Sequence, residues 1–204
     1  MALRRWAIKR GELRPLSRAG LLLFTARCAM RIEPWMPLTC DEIWGQGLSH
    51  VVAAASADVP LGRRESLRRE ISDAGALASH ALHESDEPLG RCMNHATQTL
   101  AAAVESASLG IGDGLKKRVI ETAKYSASIP AILAYAGRVV APDGEDPVDF
   151  ACVFMWDTLR ADIEPVREAE AVIGAAEDPV DALRACASLW SLGEPRWASR
   201  PRPA

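Results

Sequence analysis

The sequence predicts an all-α protein, a single multi-helix domain of roughly six to eight antiparallel helices with no significant sheet. Three observations predict it. Apolar residues make up 49% of the chain, but Phe and Tyr number three and two, and Val, Ile and Thr do not gather into the alternating runs that strands need. Apolar positions instead recur three and four residues apart over long segments, and the segments are bounded by Pro, Gly and capping residues. A length of 204 residues is that of one ordinary domain with material for a substantial core.

The elements follow in order. Residues 1–15 are expected to form a basic arm, with room for one short helical turn, closed by Pro15. A first helix is expected over 17–34, with Ser17 as N-cap and Leu22, Ala26, Ala29 and Ile32 on one face, ended by Pro34 and Pro37. Thr39-x-x-Glu42 is a capping box, in which hydroxyl and carboxylate each satisfy an orphan backbone donor, and it starts a second helix to about 56. Past Pro60 and Gly62, Leu67, Ile71, Ala74, Ala78 and Leu82 mark a third. Pro88, behind Asp86 and Glu87, opens a fourth through Leu89, Met93, Ala96, Leu100 and Ala103 to about 108.

Gly110, Gly112 and Gly114 break the chain, and 115–140 is helical by period but carries Pro130, so a kink or two helices are expected there. The five letters EDPVD occur at 145–149 and again at 177–181, each reading as Asp cap, Pro in the first turn and an acid at the positive end of the helix dipole. Pro165 is expected to kink or split the first of these two helices. The tail from Gly193 to 204, with three prolines, is expected to be extended or disordered.

The net charge of −3 hides an asymmetry. Residues 1–31 carry eight Arg or Lys against Glu12 alone, whereas 141–183 carries twelve Asp or Glu against Arg160 and Arg167. Such a distribution fits an intramolecular pairing of the two ends, solvated helix faces, or an acidic face offered to a basic partner. Glu145, Asp146, Asp149, Asp157, Asp162, Glu164, Glu168 and Glu170 fall on or beside one predicted helical segment. With Asp146 set aside as a cap, Asp157, Asp162, Glu164 and Glu168 are the candidate partner-binding residues.

Five cysteines, widely spaced and odd in number, do not form a secreted disulfide framework. Arg4-Arg5 ahead of the apolar stretch at 21–24 gives the outline of a twin-arginine export signal. Glu12, Arg14, Arg18 and Arg27 interrupt it, and no small-residue cleavage site follows. No apolar run approaches the roughly 20 residues of a membrane span, so a cytoplasmic protein is expected.

Chemistry-bearing motifs are scarce. His80-x-x-His83 and Cys92-x-x-His95 each put two ligand types on one helix face, the spacing by which a pair of facing helices would hold zinc. Neither H-E-x-x-H nor E-x-x-H occurs, and the glycines at 110, 112 and 114 follow no strand, so they read as a helix break rather than a dinucleotide loop. No G-x-S-x-G marks a nucleophile. Of six tryptophans, Trp156 and Trp190 fit apolar faces, while Trp35, Trp44 and Trp197 sit near helix ends or in the tail, where they close a junction or anchor an interface.

The stretch LLLFTARCAMRIEPWMP at 21–37, then Trp44 with GLSHVVAAA at 47–55, resembles the opening of a helical family. ALASHALHE at 76–84 and GRCMNHATQTLAAAVESA at 90–107 resemble its later part. The family is the all-α group of immunity proteins of bacterial polymorphic toxin systems labelled immunity protein five, and the likeness covers about 17–140. The resemblance implies a non-enzymatic protein, without cofactor, that neutralises a cognate toxin by binding it. No site residue carries over, and the acidic third has no counterpart. The alternative is a helical enzyme or metal-binding regulator using His80, His83, Cys92 and His95. Nucleic-acid binding through the basic arm is disfavoured by an acidic chain without a clear helix-turn-helix.

Overall fold

A computed structural model describes residues 7–32, 41–56, 62–177 and 186. All regular structure among the described residues is helical, without strand: α1 Arg18–Met30, α2 Asp41–Ser56, α3 Gly62–Ser85, α4 Glu87–Ser106, α5 Asp113–Tyr135, α6 Pro147–Ala161 and α7 Ile163–Ala175. Helices consecutive in the chain pack as neighbours, and α1 runs through the middle, touching α2, α4, α5 and α7. That position explains its sequence. Every residue from Gly20 to Ala29 is buried, so the helix is apolar nearly all round, with no polar face left for solvent.

Capping chemistry sets most boundaries. Ser17 accepts from Gly20 N at the start of α1, Asp86 from Leu89 N at the start of α4, and Asp146 from Val148 N and Asp149 N at 2.9 Å, with Pro147 in the first position of α6. The predicted stripes are core: Leu22, Ala26, Ala29 and Ile32 in the first helix and its C-terminal turn, Leu67 and Ile71 of α3, and Met93, Ala96, Leu100 and Ala103 of α4 are all buried. Thr39, the second EDPVD copy beyond Glu177, Trp6, Trp35, Trp190, Trp197 and the tail from Gly193 lie outside the described residues.

Three expectations need correction. Residues 7–16 are more than a basic arm, since they fold into successive turns that bury Ile8, Leu13 and Leu16. Of the kink or division expected at Pro130, the division is absent: one helix runs through, with the proline itself buried in the packed face of α5, where tertiary packing offsets its missing donor. That helix also ends at Tyr135 rather than Val140. Gly137 takes φ +69°, Arg138 N donates to Leu133 O at 2.8 Å and Gly137 N to Ala134 O at 3.0 Å, a Schellman-type ending that glycine adopts without steric strain.

Pro165 does split its helix: α6 ends at Ala161, and Asp162 is both the C-cap of α6 and the N-cap of α7. At this junction the Asp162 side chain faces α1. Trp156 is core, and Trp44 of α2 is also buried, beside Ile71 of α3 and Leu100 of α4, where it closes a helix junction, the first of the two roles open to it.

Candidate functional site

The acidic third divides into two parts with opposite environments. Arg27 and Arg31 lie one turn apart on the central helix and its cap, and neither side chain reaches solvent appreciably. Two guanidinium groups in an apolar interior require an anion. Asp162 supplies it: its Oδ1 accepts from Arg27 and, at 2.7 Å, from Arg31 Nη2, and its Oδ2 accepts from Arg31 Nε at 3.0 Å. At 1% exposure Asp162 is not a surface residue, and its expected place in a partner-binding set is corrected. Beside it, Ser126 Oγ of α5 donates to the Cys28 carbonyl at 3.0 Å.

Glu170 of α7 is also committed internally. Its Oε1 accepts from Ser17 N at 2.8 Å and Gly20 N at 3.1 Å, placing a carboxylate on the positive end of α1. Gly20 leaves room for it, because a β-carbon there would overlap the carboxylate and displace it. Both contacts join the basic first helix to the acidic third, so internal pairing accounts for part of the charge asymmetry.

The other carboxylates face outward. Asp157, Glu164 and Glu168 are exposed as expected. Asp157 pairs with Arg160 at 3.0 Å, Arg160 Nε in turn donates to Glu12 at 2.8 Å, and Glu164 pairs with Arg167 at 3.1 Å. Pairs of this kind at the surface contribute about 0–1 kcal/mol.

The outward face of α6 carries the arrangement that the charge pattern alone missed. A groove of about 470 Å³ has a floor of Phe150, Val153 and Phe154, rimmed by Glu145, Asp146, Asp149 and Asp157. From Asp146 to Asp157 these positions recur three and four apart, one stripe of the helix, whereas Ala151, Cys152, Met155, Trp156 and Leu159 on the opposite face are buried in the core. The two phenyl rings lie 6.1 Å apart at 37°. Among the described residues neither Glu145 nor Asp149 has a cationic partner within salt-bridge reach. The signal was present in the sequence: α6 has apolar residues on both faces, and only one can point to the core.

The His/Cys set does not converge. His80 and His83 are exposed, His80 lying 3.6 Å from Glu84 on its own helix. Cys92 is buried, its thiol directed at the Ile129 carbonyl of α5. His95 is half-buried against Tyr125, ring centroids 6.0 Å apart, and burial, with a smaller contribution from Arg91, lowers its pKa. Gly90 lies against the His83 backbone, where a β-carbon would stand 2.8 Å from it, so the hairpin from α3 to α4 is closed by backbone contact and Ser79 Oγ donates to Gly90 O at 2.8 Å. Among the described residues no group of three or more His, Cys, Asp or Glu is placed to hold a metal ion.

The thiols of Cys28, Cys92 and Cys152 are chemically quiet. Burial pushes Cys92 up to about 12 and Cys152 up to about 11, and burial with the Asp162 carboxylate raises Cys28 well above 9. No helix among the described residues is long and apolar enough to cross a membrane. Comparison of the chain with protein-family models, with curated proteins and with solved structures finds no match.

Proposed function

We propose that this chain is a non-enzymatic binding protein of the bacterial cytoplasm, an immunity protein that neutralises a cognate toxin by occupying a basic surface of it. The observation that carries the reading is the groove of α6, where an apolar aromatic floor is ringed by carboxylates. An interface core of this kind desolvates apolar area at its centre while the charged rim steers a basic partner and rejects acidic ones. The inert thiols and the dispersed histidines support a binding role over nucleophilic or metal-assisted catalysis. The resemblance of 21–37 and 76–107 to immunity proteins of polymorphic toxin systems supports the toxin as the partner.

The test is co-expression with the toxin encoded beside this gene. Growth restored by the chain, together with a one-to-one complex on size-exclusion chromatography, is the expected outcome. A neighbouring gene that encodes no toxin, or a toxin that kills in the presence of the folded chain without binding it, refutes the reading.

A further inference from the structure

The floor and the rim of the α6 groove ask for different chemistry from the same occupant. Phe150 and Phe154 are half-buried, leaving ring surface at the groove while their other sides pack on the core. Val153, between them, is half-buried yet is not among the residues packed on the core cluster, so it belongs to the groove. Asp146 directs one oxygen to two backbone N–H groups of α6, and Asp157 shares Arg160 with Glu12. Glu145 and Asp149 place their carboxylates on the rim with no cation beside them among the described residues.

A purely apolar peptide would cover the floor and desolvate these two carboxylates without replacing their hydration. A simple cation would satisfy the rim and leave the phenyl rings in water. The side chains that meet both demands are arginine and lysine, whose methylene stems lie along apolar surface while their charged ends reach a carboxylate. Arginine is the better of the two, because its planar group also stacks on an aromatic face and forks to a carboxylate.

We propose that the groove receives a short segment of a protein partner in which arginine alternates with apolar residues, the stems crossing Phe150 and Phe154 and the guanidinium groups ending on Asp149 and Glu145. The proposal rests on the reading of the chain as a binder of a basic protein. It adds where the contact is made and by which side chains.

The probe is a fluorescein-labelled ten-residue peptide alternating arginine and leucine, titrated into the intact chain by anisotropy. Two controls accompany it, one with glutamine at every arginine and one with serine at every leucine. Saturable one-to-one binding is expected, weakened roughly tenfold or more in either control, since charge and apolar contact act together. Val153→Arg plugs the floor with a cation and is expected to weaken the arginine peptide roughly tenfold or more with an unchanged circular dichroism spectrum. Glu145→Gln with Asp149→Asn is expected to flatten the salt dependence.

Equal binding to Val153→Arg overturns the proposal, because the peptide is then held by diffuse charge elsewhere. So does absence of binding at about 1 mM protein in low salt. A concentration-dependent dimer in sedimentation that Val153→Arg abolishes overturns it in favour of a second copy as occupant. A toxin complex that survives Val153→Arg removes the groove and leaves the immunity reading standing. Peptide binding without protection from any toxin removes the immunity reading and leaves the groove.

Discussion

Asp157 and Asp162 stand five residues apart in one acidic run, and the fold gives them opposite tasks. Asp157 is 66% exposed and exchanges a weak surface pair with Arg160. Asp162 is held at the α6–α7 junction between two buried guanidiniums. The difference follows from helical phase: position 162 follows the buried Met155 and Leu159 at intervals of seven and three, whereas position 157 shares its stripe with Asp146 and Val153 on the outer face. A carboxylate in this chain is therefore structural or available for binding according to the face of the helical path it occupies.

The largest expected effect tests the buried side of that comparison. Asp162→Asn leaves Arg27 and Arg31 with a neutral partner in an apolar surrounding. A loss of about 3–5 kcal/mol is expected, seen as a fall in Tm of roughly 10 °C. Asp157→Asn should change stability by less than about 0.5 kcal/mol. Equal effects of the two substitutions in thermal denaturation would break the contrast.

Glu170 and Glu168 give a second pair of opposites about two turns further on. Glu170→Gln removes the charge at the N-terminus of α1 and should cost about 1–2 kcal/mol, and Gly20→Ala should do similar damage by displacing the same carboxylate. Glu168→Gln, exposed and without a contact to α1 among the described residues, should be silent. Urea denaturation distinguishes them.

The thiols sharpen the same division by pH. Cys28, Cys92 and Cys152 hold their protons more tightly folded than unfolded, so the native state binds more protons than the unfolded chain once pH passes the ordinary thiol value near 9. Stability is accordingly complete below pH 9 and declines as pH rises from 9 toward 12. At pH 8 these three thiols should resist iodoacetamide until denaturant is added, as read by mass spectrometry. Alkylation in the native state would show that the core opens locally.

How much of this was legible varies by the kind of information each residue carries. Ser17, Asp86, Asp146 and Pro147 act through their own backbone neighbours, so the sequence sufficed to find them. Gly137 is equally local, but the apolar period of 115–140 masked it, and the expected helix ran too far. Asp162 depends on a partner more than a hundred residues away, and charge type alone does not distinguish it from Asp157. Its trace lies in the first helix: Arg27 and Arg31 interrupt an apolar segment one turn apart, and such a pair must find an acid somewhere. The groove is hidden for a related reason. The carboxylates of α6 dominate its charge pattern, whereas Phe150, Val153 and Phe154 mark the outward face as more than solvated surface.

The smallest expected effect on stability, and the most informative about binding, comes from the exposed carboxylates beyond the groove. Glu164→Lys with Glu168→Lys changes two side chains whose only described contact is the surface pair of Glu164 with Arg167, so Tm should move within the range of ordinary surface substitutions, about 0.5 kcal/mol. The charge changes by four units on the acidic helices all the same. If these carboxylates steer a basic partner, association should slow in stopped-flow measurements at low salt, and the difference from the parent should shrink as salt shortens the Debye length to about 8 Å and below. The dissociation rate should stay close to the parent value, because rim charges act mainly on encounter. A changed dissociation rate would place Glu164 and Glu168 inside the contact and extend the interface from α6 onto α7. An unchanged association rate would confine the functional charge of the acidic third to the groove rim.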